Sequence, residues 1–319
     1  MKKSQKIYIS GHKGMAGSAI HRELIKQGYT NIITRARNAL DLMDKSAVLD
    51  FFQENQPDFV FNAAAKVGGI LANNTYPADF IHQNLEIQNN VIYAAHKTGV
   101  KKLLFLGSSC IYPRECPQPM QEEHLLTGPL EPTNDAYAIA KIAGIIMCHS
   151  YYRQYGDNYL SIMPTNLYGP GDNFDLQSSH VLPALIRKFH AAKVQNKDTV
   201  TLWGSGIAKR EFLHVDDMAN AAIFIMQNID ASDIYERQIL HLNVGTGKDI
   251  SIENLAILIR DIIGFKGNIL YDTEKPDGML EKRLDVSRLN DLGWQHRISL
   301  SEGIRHTYDY YQEMIKKVK

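Results

Sequence analysis

Three glycines most constrain what this chain can fold into. They lie in Gly11-His12-Lys13-Gly14-Met15-Ala16-Gly17, directly after the apolar run 6–10 and ahead of an amphipathic stretch. Such a turn lets a strand pass tightly into a helix, and its bare backbone N–H groups can approach a phosphate at the helix N-terminus. The residues that follow keep the same rhythm. Strands are predicted at 6–10, 31–34, 58–62, 101–107 and 159–164, with helices at 15–27, 45–54, 77–97 and 134–155. Strand–helix alternation of this kind implies an α/β fold, a doubly wound parallel sheet of Rossmann type covered on both faces.

After Thr165 the alternation becomes irregular, through Gly169-Pro170-Gly171, the stretch 181–192 and Trp203-Gly204-Ser205-Gly206. Segments 215–227 and 240–244 read as a return to the first unit, and a short strand is expected at 268–271. The expected organisation is therefore interleaved. Residues 1–165 with 215–245 form the dinucleotide-binding domain, and 166–214 with 246–319 form a smaller α/β substrate-binding domain, with the site in the crevice between them.

Charge is balanced, 35 basic against 35 acidic residues, which argues against a nucleic-acid-binding surface or a polybasic membrane patch. The N-terminal apolar run is too brief for a signal-peptide core, and no stretch approaches the ~18 apolar residues of a membrane span. The chain reads as soluble and cytoplasmic. Cys110, Cys116 and Cys148 are odd in number and lack metal-ligand spacing, so neither a disulfide framework nor a metal site is expected.

The chemistry centres on Tyr137 and Lys141 in Asp135-Ala136-Tyr137-Ala138-Ile139-Ala140-Lys141. Residues four apart share a helix face, so the ammonium is placed to stabilise a phenolate and lower its pKa toward working pH, giving a proton donor suited to carbonyl reduction. A serine of the Gly107-Ser108-Ser109-Cys110 tract can offer a hydroxyl to the same oxygen. Ser108 and Ser109 compete for that role. Gly11, Gly14 and Gly17 are the pyrophosphate-binding candidates. At the end of the second strand, where an NAD enzyme often carries an acid for the ribose, the chain reads Thr34-Arg35-Ala36-Arg37. Arg37 and Arg35, with Lys13, favour the 2′-phosphate of NADP(H), and Asp41-Leu42 flank the adenine.

These motifs together resemble the extended short-chain dehydrogenase/reductase family, and within it the GDP-4-keto-6-deoxy-D-mannose 3,5-epimerase/4-reductases. The tracts that carry the likeness are Ala64-Ala65-Lys66-Val67-Gly68-Gly69-Ile70, Leu106-Gly107-Ser108-Ser109-Cys110-Ile111-Tyr112-Pro113, Pro164-Thr165-Asn166-Leu167-Tyr168-Gly169-Pro170 and Arg210-Glu211-Phe212-Leu213-His214-Val215-Asp216-Asp217. The likeness spans about residues 6 to 300. It implies Cys110 as base and His180 as acid for two epimerisations next to a ketone, then reduction using Ser108, Tyr137 and Lys141. If strand alternation persists through 108–110, Ser108 shares a face with Cys110, and the resemblance points to the same serine.

By the same resemblance, Met15, Leu106, Gly107, Tyr137, Lys141, Pro164, Asn166, Leu167 and His180 contact the cofactor. Lys188, Trp203 and Arg210 bind the GDP-sugar substrate, together with Asn166 and Asp277; Lys188 stands where the family commonly has arginine. A homodimer through the helices at 77–97 and 134–155 is also implied. Two other readings remain: a nucleotide-sugar epimerase or dehydratase that retains its cofactor, and a non-catalytic redox-sensing scaffold.

Overall fold

The computed structural model describes residues 1–176, 178–274 and 279–318. Its first half alternates as β1 (Ile7–Ser10), α1 (Met15–Lys26), β2 (Ile32–Thr34), α2 (Lys45–Asn55), β3 (Phe59–Asn62), α3 (Ile70–Thr75), α4 (Pro77–Lys97), β4 (Lys102–Leu106), α5 (Asp135–Tyr155) and β5 (Tyr159–Pro164). The second half contains β6 (Asn166–Tyr168), α6 (Val181–Val194), β7 (Thr199–Trp203), β8 (Lys209–His214), α7 (Val215–Asn228), α8 (Ala231–Tyr235) and β9 (Leu242–Val244). It ends with β10 (Asp249–Ser251), α9 (Ile252–Ile263), β11 (Asn268–Asp272), β12 (Glu281–Lys282), α10 (Ser287–Asp291) and α11 (Leu300–Val318).

Six strands form one parallel sheet in the order β2-β1-β3-β4-β5-β9. Every residue of β1, β3, β4 and β5 is buried, because helices cover both faces. The pleat divides their side chains by the two-residue period of a strand. Ile7, Ile9, Phe61, Leu104, Leu106 and Ile162 pack on the face covered by α1 and α7. Tyr8, Val60, Leu103, Phe105, Tyr159 and Met163 pack on the face covered by α2, α4 and α5. The winding direction reverses between β1 and β3, which opens a crevice at the carboxyl ends of the strands.

The approach of α5 to β4 depends on a missing side chain. A Cβ on Gly144 would lie 2.3 Å from Phe105 Cζ, so the helix settles closer to the sheet than any other residue would permit. That contact sets the height of Tyr137, two turns earlier on α5, and of Lys141, about one turn earlier, above the end of β4.

A third apolar cluster joins Leu182, Leu185, Ile186 and Phe189 of α6, Leu202 of β7, Phe212 of β8, Leu255 and Ile259 of α9, and Ile304 of α11. Here β8 pairs with β6, β10 and β12, while β7 pairs with β11 in a separate parallel ribbon. Leu284 and Val286 join the α5 side of the main sheet, and Leu289 and Trp294 join the α7 side. The stretch that reads as irregular in the sequence thus contains β6, β7 and β8. These strands are short, and β8 opens on the charged Lys209-Arg210-Glu211, which hides the strand pattern.

Candidate active site

The glycine turn has the shape its spacing predicts. Gly11 has φ +72°, and a Cβ there would meet Ala64 Cα at 2.7 Å; one on Gly17 would meet the Gly11 carbonyl oxygen at 2.3 Å. Both glycines are required by packing. Gly14 differs, because its Cβ would have a nearest contact of 3.4 Å, an ordinary distance. It caps α1 with no side chain, so this side of the helix N-terminus is open to backbone hydrogen bonding. The turn therefore fits a pyrophosphate laid across α1, with Met15 starting the helix. Gly171 Cβ would lie 3.4 Å from Met15 Cα, which brings the loop after β6 over the turn.

Around this crevice, Lys13, Arg35 and Arg37 are exposed. Arg35 is held by its Nη1 donating to the Thr34 carbonyl at 2.9 Å and by its guanidinium lying over Phe51. Leu42 is fixed by Asn90 Nδ2 donating to its carbonyl at 3.0 Å, and Asp41 is exposed beside it. On the opposite wall Asn166 Nδ2 donates to the Glu211 carbonyl at 2.8 Å. Pro164 ends β5, Leu167 lies in β6, and Gly107 packs against Met163 where a Cβ would have only 2.4 Å.

The proton-transfer groups meet above β4. Ser108 is extended, and the chain then enters a 3-10 turn over Ser109–Ile111. Strand alternation therefore stops at Ser108, contrary to the premise used to prefer it over Ser109. The selection rests instead on electrostatics, since Ser108 lowers the pKa of both Cys110 and Tyr137. Ser109 is buried.

Lys141 is 3 % exposed, and its Nζ donates to the Leu106 carbonyl at 2.8 Å while lying 5.8 Å from the Tyr137 ring centroid. Burial lowers its pKa to about 8. The expectation that Lys141 depresses the Tyr137 pKa is not met. Burial, then the Cys110 thiol, raise the phenol above its ordinary range, while Ser108 pulls it down less. The reason is that the Lys141 ammonium is directed at a carbonyl and is itself destabilised by burial. Tyr137 is thus held as a neutral phenol, the form that can donate a proton.

Burial also pushes the Cys110 thiol up; opposing it, in order, are Lys282, Ser108, Lys141 and a backbone hydrogen bond. His180 is the N-cap of α6 and is exposed. Packed protein lowers its imidazole pKa, with a further contribution from Lys282. Lys282, in Glu281-Lys282-Arg283, belongs to no motif singled out from the sequence.

On the substrate side, Lys188 Nζ donates to the Thr201 carbonyl at 3.2 Å and lies 5.5 Å from the Trp203 ring, which is 67 % exposed. Arg210 donates to the carbonyls of Lys209 and Met279, and burial lowers its pKa. Asp277 lies outside the described residues.

The adjoining strands are tied together by Glu211, which the sequence reading passed over. Fully buried, its carboxylate accepts from the N–H groups of Thr246 at 2.6 Å, Gly247 at 2.8 Å and Leu284 at 2.7 Å. A Cβ on Gly245 would come within 2.1 Å of its Oε1.

A glycine turn, a hydroxyl, a phenol and a buried ammonium on a doubly wound sheet coincide with a family match. The model for the NAD dependent epimerase/dehydratase family covers residues 7–245. The chain belongs to that family. It is 55 % identical to the GDP-L-fucose synthase of Escherichia coli (strain K12) over 311 residues, 97 % of either chain. It is 54 % identical to the Putative GDP-L-fucose synthase 2 of Arabidopsis thaliana, over all of this chain and 95 % of that one. The solved structure of MlghC, a GDP-mannoheptose C4 reductase from Campylobacter jejuni with NADP bound, superposes with a TM-score of 0.91 and 42 % identity, covering 98 % of this chain and 99 % of that one.

With these relatives the chain stands in the GDP-L-fucose synthase group of the extended short-chain dehydrogenases/reductases, as an NAD(P)-dependent oxidoreductase and epimerase. No helix among the described residues is long and apolar enough to cross a membrane.

Proposed function

We propose that this chain converts GDP-4-keto-6-deoxy-D-mannose to GDP-L-fucose, by epimerisation at carbons 3 and 5 and NADPH-dependent reduction at carbon 4. One observation carries the reading: Ser108 lowers the pKa of both Cys110 and Tyr137, and Cys110 in turn raises that of Tyr137, so the groups for enolisation and for reduction lie within reach of one another beyond the end of β4. Ser108 and Tyr137 donate to the carbon-4 oxygen, and this withdrawal of charge acidifies the C–H bonds at carbons 3 and 5. Cys110, as thiolate, removes a proton, and the electron pair moves onto the carbon-4 oxygen. His180, protonated, returns a proton from the opposite face; exchange with solvent then resets both residues. NADPH, when bound, supplies the hydride for carbon 4. Tyr137 gives its proton to the oxygen there, and Lys141 restores it.

Gly11, Gly14 and Gly17 would hold the pyrophosphate, with Met15 at the start of α1. Lys13, Arg35 and Arg37 would hold the 2′-phosphate, beside Asp41 and Leu42. Leu106, Gly107, Pro164, Asn166 and Leu167 line the nicotinamide end. Arg210, Lys188 and Trp203 face the GDP moiety as paired donors, point charge and apolar wall. The working form is proposed to be a cytoplasmic homodimer joined through α4 and α5.

The test is to incubate purified protein with NADPH and the keto-sugar nucleotide in deuterated water, then identify the product by NMR. GDP-L-fucose labelled at carbons 3 and 5, with one NADPH consumed per product, is expected. An unepimerised GDP-6-deoxyhexose would reduce the reading to a C4 reductase, the activity in the name of the Campylobacter jejuni structure. Epimerisation without net NADPH consumption would replace it with a retained-cofactor enzyme. Cys110→Ser should lose deuterium incorporation while still oxidising NADPH, since a serine hydroxyl is far less acidic than a thiol.

A further inference from the structure

Lys282 lies in a strand of two residues that is fixed from both sides. On one side β12 runs parallel to β8, with Lys282 opposite Arg210. Lys209 N donates to the Leu280 carbonyl at 2.7 Å, and Leu284 N donates to the Glu211 carboxylate at 2.7 Å. On the other side, Met120 N donates to the Arg283 carbonyl at 2.8 Å, Asp285 N to the Met120 carbonyl at 2.8 Å, and Arg283 N to Gln118 Oε1 at 2.9 Å.

In an extended segment, residues two apart face the same way. Leu284 bridges to Met120 and shares a buried cluster with Ile111, Tyr112 and Cys116, so the Lys282 side of β12 looks toward the chain that carries Cys110. Burial lowers the pKa of the amine there; Cys110, Glu131 and Cys116 favour its ammonium, Arg210 opposes it, and it lies within electrostatic reach of His180. Glu131 is shared, since it also faces Arg114 at 3.5 Å. Cys110 itself faces Ser108, Tyr137 and Lys141 as well as Lys282. Lys282 acts on this thiol more strongly than Lys141 does.

We propose that Lys282 is a positioning residue for proton abstraction, whose ammonium favours the Cys110 thiolate and thereby sets the rate of epimerisation. This rests on the functional reading above and adds a division of labour between two lysines. Lys141 serves the carbonyl oxygen through Tyr137, and Lys282 serves the base. No covalent bond to Lys282 is made or broken. The Cys110 S–H proton leaves to water, the thiolate then takes the proton from the sugar C–H bond, and that bonding pair becomes the enolate.

The experiment uses the full chain as wild type, Lys282→Met and Lys282→Arg. Thiolate is followed by its ultraviolet absorbance against pH, as the difference between each protein and the same protein carrying Cys110→Ser. Removing the cation should move the Cys110 titration upward by roughly one to three pH units, and Lys282→Arg should restore it. With NADPH and keto-sugar nucleotide in deuterated water at neutral pH, Lys282→Met should lower exchange at carbons 3 and 5 about tenfold or more. The KM for the nucleotide sugar should change far less.

An unchanged thiol titration in Lys282→Met, with normal folding by circular dichroism, overturns the proposal. So does a raised KM with unaltered exchange at saturation, which would make Lys282 a phosphate ligand. If wild type exchanges neither carbon, the functional reading fails; the thiol titration still decides whether Lys282 acts on Cys110.

Discussion

Lys141→Met should make this protein more stable near neutral pH while abolishing carbonyl reduction. The side chain is 3 % exposed, and burial lowers its pKa from 10.5 to about 8. Holding the charge in the folded state at pH 7 therefore costs about 3 kcal/mol. Against this, the variant loses the hydrogen bond to the Leu106 carbonyl, an offset of about 1–2 kcal/mol. Methionine has a similar length and volume, so the net gain is about 1–2 kcal/mol, or roughly 2–4 °C in Tm for a chain of this size.

The pH dependence identifies the cause. Between about 8 and 10.5 the unfolded chain keeps the lysine proton that the folded protein has lost, so wild-type stability rises with pH relative to the variant. Differential scanning fluorimetry of both proteins at pH 7 to 10 should show the variant ahead at the low end and overtaken at the high end. A Tm difference that stays constant across this range, or a variant less stable at pH 7, would refute the argument that a costly buried charge is retained for function.

Tyr137→Phe keeps the ring against Phe80, whose centroid lies 6.2 Å away, and removes only the proton donor. NADPH oxidation should fall at least 100-fold with little change in NADPH binding by fluorescence; wild-type turnover under chemistry-limited conditions would assign the donor elsewhere. Arg37→Ala should erode a preference for NADPH over NADH by roughly 1.5–3 kcal/mol in kcat/KM, and equal use of both cofactors by the wild type would void the 2′-phosphate assignment. Gly144→Val forces a side chain into Phe105 and should cost roughly 1–3 kcal/mol by overpacking. Chemical denaturation measures that cost, and an unchanged midpoint would show that α5 can lift freely from β4.

The parallel sheet was legible because its strands are apolar throughout and its helices are long. For α4 and β5 the predicted bounds, 77–97 and 159–164, coincide with the structure, and elsewhere in the first half they differ by a residue or so. Glycine spacing was legible because Gly11 and Gly17 answer to sterics that no other residue satisfies. Two kinds of information were not. Local geometry at Ser108–Cys110 depends on a 3-10 turn that alternation cannot foresee, so Ser108 was favoured on a premise that fails. Electrostatics at Tyr137 depend on burial from the whole fold, which reverses the shift that lysine spacing suggests. Lys282 and Glu211 have no local signature, because each matters through chain segments 35 or more residues distant in sequence.

Among the described strands β7 and β11 pair only with each other, and Trp203 stands at the end of this ribbon opposite Asp272. If Trp203 and Lys188 grip the nucleotide, the handle of the substrate is read by a ribbon that belongs to a different sheet from the one under Cys110 and Tyr137. Selection or engineering could then exchange one nucleobase preference for another by rewriting a few ribbon positions, while the sugar chemistry passes through unaltered. The reverse route is open too: a new hexose could be accommodated near Ser108 without relearning how to hold its carrier.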